Sequence, residues 1–353
     1  MINEWESSDY QDALSELNLE LQQHPHNIDA YYARSEILYA LGDYKAAIKD
    51  LDIILQRRSQ DALAYVLRGY GHGLLKNYSQ AIIDYAKAIE LCPNYPRAYF
   101  NRGTIYERLQ QYDRAIADFN LALQLDPNYV DAYYNRAVVH NQLGQYQQAI
   151  ADYSQVIRLQ PDDEAAYYNR GNTYNKIEQY SQALEDYNRA ISLDPEDLEA
   201  YYNRANVYHK TQLYPKAIAD YSFVIKANPR HAPTYYNRGT TYLAAQDLSL
   251  AIADFTQAIR LNPDYAEAYY NRAVAQNKSK EHQLAIADHQ KAIEIKPNYA
   301  EAYGNLGLVY QTVGEKRLAV ENLQQAAKLF EQQNNQPLYN YVREKLREIV
   351  SVK

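Results

Sequence analysis

Residues 166–175 read AYYNRGNTYN, and residues 200–209, 34 positions further on, read AYYNRANVYH. The restatement runs along the whole chain. Its leading tyrosine falls at Tyr31, Tyr65, Tyr99, Tyr133, Tyr167, Tyr201, Tyr235, Tyr269 and Tyr303, every interval being 34 with no insertion. An alanine keeps the same step from Ala47 through Ala183 to Ala319, and a proline closes most units, from Pro93 through Pro195 to Pro297. A fixed period of this size marks a chain built from stacked copies of one supersecondary unit.

The unit at 164–197 reads as two helices. Tyr167, Gly171 and Tyr174 stand at i, i+4 and i+7 in the first; Ala183, Leu184, Tyr187, Ala190 and Ile191 mark one face of the second. Both spacings follow the 3.6-residue period. A turn near Glu178-Gln179 separates the helices, and Asp194-Pro195 ends the second, since proline cannot continue it. Neither helix buries its apolar face alone, but stacking successive units does. The small Gly171, Ala183 and Ala190 permit close approach while tyrosines fill the space beside them.

This pattern resembles the tetratricopeptide repeat, whose motif runs Trp-x2-Leu-Gly-x2-Tyr, then Ala-x3-Phe, then Pro. Here it reads Tyr167-x2-Arg170-Gly171-x2-Tyr174, then Ala183-x3-Tyr187, then Pro195. The resemblance implies an all-α chain, a right-handed α-solenoid of about nine 34-residue helix-turn-helix repeats. The expected partition is one superhelical domain over 1–353: a partial repeat at 7–27, nine full repeats at 28–333, and a polar-faced closing helix at 336–353. Nothing then remains for a catalytic domain, and the chain is not expected to be an enzyme.

One departure from the motif is systematic. The Leu slot holds Arg in eight of nine units, from Arg34 to Arg272, and each Arg is followed 16 residues later by an aspartate, from Asp50 to Asp288. In the ninth unit Leu306 and Asn322 replace both together. An antiparallel hairpin turning midway places the two positions opposite one another, so structural ion pairs are expected inside or between helix pairs. They outweigh the reading as an arginine stripe for anionic ligands.

A second regularity points outward. Asn101, Asn135, Asn169, Asn203, Asn237, Asn271 and Asn305 occupy one mid-helix slot, although asparagine is a mediocre helix former. Ala33 and Leu67 stand there in the first two units. A carboxamide carries donor and acceptor, and so can grip a peptide backbone whatever its side chains. The row is similar to the asparagine ladder lining the inner groove of the tetratricopeptide region of O-linked N-acetylglucosamine transferases. That resemblance implies an extended peptide ligand, contacted also by Tyr134, Tyr168, Tyr202, Tyr236 and Tyr270 beside the asparagines. Tyrosine gives large contact area at low entropy cost. Rungs about 10 Å apart would span roughly 60 Å, or about 18 extended residues. The competing readings are that Asn caps or bridges helices, and that the tyrosines stack between repeats.

Composition narrows the partner classes. The net charge of −8 argues against nucleic acid, and no apolar run approaches the length of a membrane helix. The single Cys92 forms no intramolecular disulfide or Cys-based metal pair. His282 and His289, or His24 and His26, lack a third ligand at metal spacing, so no metal or cofactor is expected. Gly71 and Gly73 weaken their helix by roughly 0.5–1 kcal/mol each. The expectation is a cytoplasmic scaffold or adaptor that binds a protein or peptide. The alternative is a structural assembly unit that stacks on its own copies through its terminal repeats or docks in a larger complex.

Overall fold

Every tight turn between the two helices of a repeat places one residue in the left-handed region. These are Gly42, Lys76, Gln110, Gly144, Glu178, Gln212, Gln246, Lys280 and Gly314, with φ between 58° and 86°. The bonds that close the helix recur with them. In the first repeat Asp43 N donates to Leu38 O at 2.9 Å, and Gly42 N to Tyr39 O at 3.1 Å. This paired closure satisfies carbonyls at the helix end and reverses the chain within two residues. The return connections follow the prolines. Asp126, for example, ends the helix before Pro127, and its side chain accepts from Asn128 N at 3.0 Å.

This computed structural model describes residues 7–351, which form twenty α-helices and no strands. The chain is an all-α repeat solenoid. A single helix, Ser7–Gln23, precedes nine hairpins that run from Ile28 to Gln332, and Gln336–Ser351 follows them. The final two residues of the expected closing helix lie outside the described part. The chain divides into two compact units, one to Ile177 and one from Glu178, a division that falls in the turn of the fifth repeat.

Within each unit the core is one slot repeated. Tyr85, Phe119 and Tyr153 in the first unit, and Tyr187, Tyr221 and Phe255 in the second, are at most 1% exposed. Fully burying such a ring contributes on the order of 1.5–3 kcal/mol. The alanines one turn earlier, such as Ala115 and Ala217, are wholly buried and let the helices close on those rings. His289 holds the same slot in the eighth repeat and is equally buried, with no hydrogen-bond partner at either ring nitrogen among the described residues. Its surroundings are core; burial depresses its pKa from 6.5 to about 4. Gly71 also has a packing role, because the Tyr39 hydroxyl occupies the space a Cβ would need while it donates to Leu67 O at 2.6 Å.

The arginines are structural. Seven Arg–Asp pairs are bidentate within their own hairpin; in the fourth repeat Arg136 Nε and Nη2 meet Asp152 Oδ2 and Oδ1 at 2.8 and 2.6 Å. In seven of the eight arginines, all but Arg102, the third nitrogen reaches back 16 residues, for Arg34 to the first helix and for the others to the preceding hairpin. Arg34 donates to Asn18, Arg68 to Asp52, Arg136 to Asn120, Arg170 to Ser154, Arg204 to Asn188, Arg238 to Ser222 and Arg272 to Thr256. Each guanidinium also lies over the leading tyrosine three residues before it, Arg204 at 5.2 Å from the Tyr201 ring. One planar fork therefore ties its own hairpin and locks the one before it, which a lysine cannot do.

Candidate functional site

All seven asparagines of the row are half-buried on the first helices of their repeats. Four of them are held by the repeat before. Asn169 Nδ2 donates to the Tyr134 hydroxyl at 2.8 Å, Asn237 to Tyr202 at 2.8 Å, Asn271 to Tyr236 at 2.9 Å and Asn305 to Tyr270 at 2.9 Å. The spacing is 35 residues in each, one period plus the single step between the tyrosine and asparagine slots. Asn169 uses its other amide hydrogen on Ala165 O, and Asn237 on Asn206 Oδ1. Among the described residues, no partner is found for the carbonyl oxygen of Asn169, Asn237, Asn271 or Asn305.

The remaining members differ for a reason visible in the sequence. Asn135 lies 35 residues after Phe100, and Asn101 the same distance after Val66, and neither of those carries a hydroxyl. Asn101 and Asn135 accordingly make no hydrogen bond within the described residues. Asn203, with Tyr168 one period plus one residue before it, is half-buried like the others.

The tyrosines beside the row pack as well as bond. Tyr134 lies 5.7 Å from the Tyr153 ring, Tyr202 6.0 Å from Tyr221 and Tyr236 5.9 Å from Phe255. Tyr270 stands 5.6 Å from His289. Desolvation on burial raises the pKa of Tyr134, Tyr202, Tyr236 and Tyr270, and the asparagine hydrogen bonds pull it partly back. These phenols stay neutral and accept the amide N–H. The bridging of helices by asparagine and the packing of the tyrosines therefore meet in one arrangement. The tyrosine is a packing element, and the bond it accepts fixes which way the carboxamide oxygen points.

The more variable positions further along the first helices are partly committed to packing. Asn141 and Thr173 bond each other at 2.8 Å, His209 Nδ1 meets Thr241 Oγ1 at 2.9 Å, and Asn206 accepts from Tyr221 at 2.6 Å. The first two of these links join neighbouring repeats and were hidden from sequence reasoning, because the paired positions look like unrelated polar residues 32 apart. Lys176 and Lys210 lie over Tyr146 and Tyr180 at 5.8 and 5.6 Å.

Two cavities open beside the row. One of about 140 Å3 is lined by Tyr85, Phe100, Asn101, Gly73 and Ile105, with Tyr70 and Arg108 among its other walls. One of about 120 Å3 is lined by Gly304, Asn305, Leu323, Phe330, Tyr341 and Val342, with Glu301 among its other walls. No group of three or more His, Cys, Asp or Glu able to hold a metal occurs among the described residues, and no described helix is long and apolar enough to cross a membrane.

Five family profiles described as TPR or tetratricopeptide repeats match the sequence, over residues 2–62, 74–110, 102–170, 171–212, 198–231, 236–300 and 300–333. No curated protein matches significantly. Among solved structures, the C-terminal part of a TPR repeat-containing protein from Cytophaga hutchinsonii is 22% identical with a TM-score of 0.57, covering 65% of this chain and 95% of that one. A tetratricopeptide repeat protein from Parabacteroides merdae is 22% identical with a TM-score of 0.51, over 70% of this chain and 98% of that one. These two share the fold. YrrB, described as a TPR protein with an unusual peptide-binding site, is 27% identical over 52% of this chain and 95% of its own, with a TM-score of 0.49. With repeat profiles along most of its length and one hairpin recurring at one step, the protein is built of tetratricopeptide repeats.

Proposed function

We propose that the chain is a non-catalytic interaction scaffold that holds an extended segment of a partner protein along its asparagine row. The observation that carries this reading is the unused hydrogen-bonding capacity of half-buried carboxamides. Among the described residues, four carbonyl oxygens are pointed by tyrosine bonds and left without a partner, and Asn101 and Asn135 make no hydrogen bond. An acceptor at a regular step suits the N–H groups of an extended backbone, which are the same whatever the side chains. The tyrosine bonds keep each acceptor in place before the partner arrives, which lowers the ordering cost of binding. This departs from a ladder in which each asparagine both donates and accepts: at Asn169 and Asn237 both amide hydrogens are already used.

The test uses the two asparagines whose loss breaks no hydrogen bond among the described residues. An array of unstructured peptides of about 18 residues is probed with wild type and with the Asn101→Ala/Asn135→Ala variant. Each lost hydrogen bond is worth about 1 kcal/mol, so affinity for bound peptides should fall roughly tenfold to thirtyfold while the melting temperature holds. Equal binding by both proteins would remove the row from recognition.

A further inference from the structure

In most repeats the residue before the row asparagine is an aromatic ring, and in five of them that ring stands 5.6–6.0 Å from the ring in its own repeat's core slot. Tyr270 of the eighth repeat is one of these: its ring stands 5.6 Å from His289 in the core slot and 5.0 Å from Tyr299 in the return connection. The ninth repeat has Gly304 at the ring position and Leu323 at the core-slot position, each 34 residues on. The ring is missing, and the 120 Å3 cavity lies where it would be, walled by Gly304 and Leu323 themselves. A Cβ built on Gly304 meets nothing closer than Ala326 Cβ at 3.8 Å and Val342 Cγ2 at 4.0 Å. Val66, the other residue in this position without a ring, belongs to the repeat whose core-slot Tyr85 lines the second cavity.

Resting on the peptide-binding reading above, we propose that the Gly304 cavity is a subsite for an aromatic side chain of the partner. The occupant is a phenylalanine or tyrosine with a lysine or arginine next to it. Size supports the ring, since an apolar cavity of roughly 150 Å3 takes up benzene. The wall chemistry supports it too, with Leu308, Leu323, Phe330, Leu338 and Val342 around the opening. Tyr341 is 45% exposed and Leu338 36% exposed on the last helix, leaving an apolar rim for the neighbouring atoms of the ligand. The basic neighbour follows from Glu301, a half-buried carboxylate in the cavity wall with no hydrogen bond or ion pair among the described residues. A carboxylate so placed favours a cation beside the ring. The chain's own repeats thus show what fills this slot, and the ninth leaves it to a partner.

The test uses the full chain with labelled Leu and Val methyls and three probes: N-acetyl-Phe-Lys-amide, N-acetyl-Phe-Glu-amide and N-acetyl-Ala-Lys-amide. The Phe-Lys probe should shift the Val342 and Leu308 methyl signals saturably, and the Ala-Lys probe should not. Gly304→Tyr supplies the ring from within and should abolish the shifts; Gly304→Leu, which fills the slot partly, serves if the tyrosine disturbs folding. Glu301→Gln should erase a preference of about two- to fivefold for Phe-Lys over Phe-Glu, the range of a partly exposed ion pair. No saturable shift in wild type, or undiminished shifts in both Gly304 variants, overturns the subsite. Equal affinity for Phe-Lys and Phe-Glu in wild type overturns the basic neighbour. The dipeptide reads the pocket alone and the array of peptides of about 18 residues reads the row, so failure of the asparagine row and failure of this pocket are told apart.

Discussion

The Tyr134 hydroxyl accepts a 2.8 Å hydrogen bond from Asn169 of the following repeat, and the same link joins Tyr202 to Asn237, Tyr236 to Asn271 and Tyr270 to Asn305. Phe100 interrupts the series before Asn135. Its ring already has the series packing, 5.9 Å from Phe119 and 4.9 Å from Tyr129. Phe100→Tyr should therefore add only the hydroxyl and complete the bond to Asn135. The expected gain is about 0.5–1.5 kcal/mol in urea unfolding, lost again when Asn135→Ala is combined with it. A gain that survives Asn135→Ala would show that the hydroxyl works through something other than this link.

The ninth repeat states what the arginine–aspartate pair requires. Leu306 is 3% exposed where other repeats hold Arg, and Asn322 turns its amide to Leu318 O at 2.8 Å where others hold Asp. In the sixth repeat Arg204 meets Asp220 through two bonds of 2.8 Å, with the side chains only 15% and 9% exposed. Arg204→Leu alone leaves the buried carboxylate uncompensated and should cost about 3 kcal/mol. The double variant Arg204→Leu/Asp220→Asn copies the ninth repeat and should recover most of the loss in thermal and urea unfolding. Equal destabilisation by single and double variants would mean that the bond to Asn188, not the carboxylate, carries the arginine's contribution.

The repeat step, the turn at Glu178 and the Arg–Asp pairing were legible in the sequence because each rests on spacing alone. A 16-residue separation about a midpoint turn puts two side chains opposite one another whatever else surrounds them. The backward reach of the same arginines to Asn18, Asp52 or Ser222 was not legible, since the acceptors differ in kind and show no motif. The link from tyrosine to asparagine was hidden for a related reason. The two residues stand one apart in every repeat, so their sequence adjacency suggests a shared face, whereas the bond runs to the next copy. The cavity at Gly304 required the packed second helix and the last helix, whose placement no period fixes.

The turn position offers a backbone test free of side-chain contacts. Gln110, Gln246 and Lys280 hold it with φ of 58°, 67° and 66°, where Gly42, Gly144 and Gly314 stand in other repeats. A non-glycine residue there carries a left-handed cost of about 1–2 kcal/mol. Glycine relieves that cost and loses part of the gain through unfolded-chain entropy. Gln110→Gly and Lys280→Gly should each stabilise by roughly 0.5–1 kcal/mol, and Gly144→Ala should destabilise by a similar amount. A Cβ on Gly144 meets nothing within 4 Å, so a loss in that variant reports the backbone alone. A neutral Gly144→Ala would show the turn is not strained.

His289 makes the eighth repeat acid-sensitive. Its ring is 1% exposed, has no partner at either nitrogen among the described residues, and is held near pKa 4 by burial alone, against 6.5 in the unfolded chain. The folded state therefore binds the neutral ring. Above pH 6.5 the ring is neutral in both states and imposes no protonation cost. As pH falls from 6.5 toward 4 the unfolded chain takes up the proton first, and stability drops by up to about 3 kcal/mol across that window. His289→Phe places in the slot the ring that Phe119 and Phe255 provide elsewhere, and it removes two unsatisfied nitrogens. It should stabilise the protein by about 1–3 kcal/mol at pH 7 and flatten the loss between pH 6.5 and 4, measured by urea midpoints at half-unit pH steps. The rest of the sequence is common to both proteins, so the difference between the two curves isolates the histidine. Parallel curves would show that His289 carries none of the acid sensitivity.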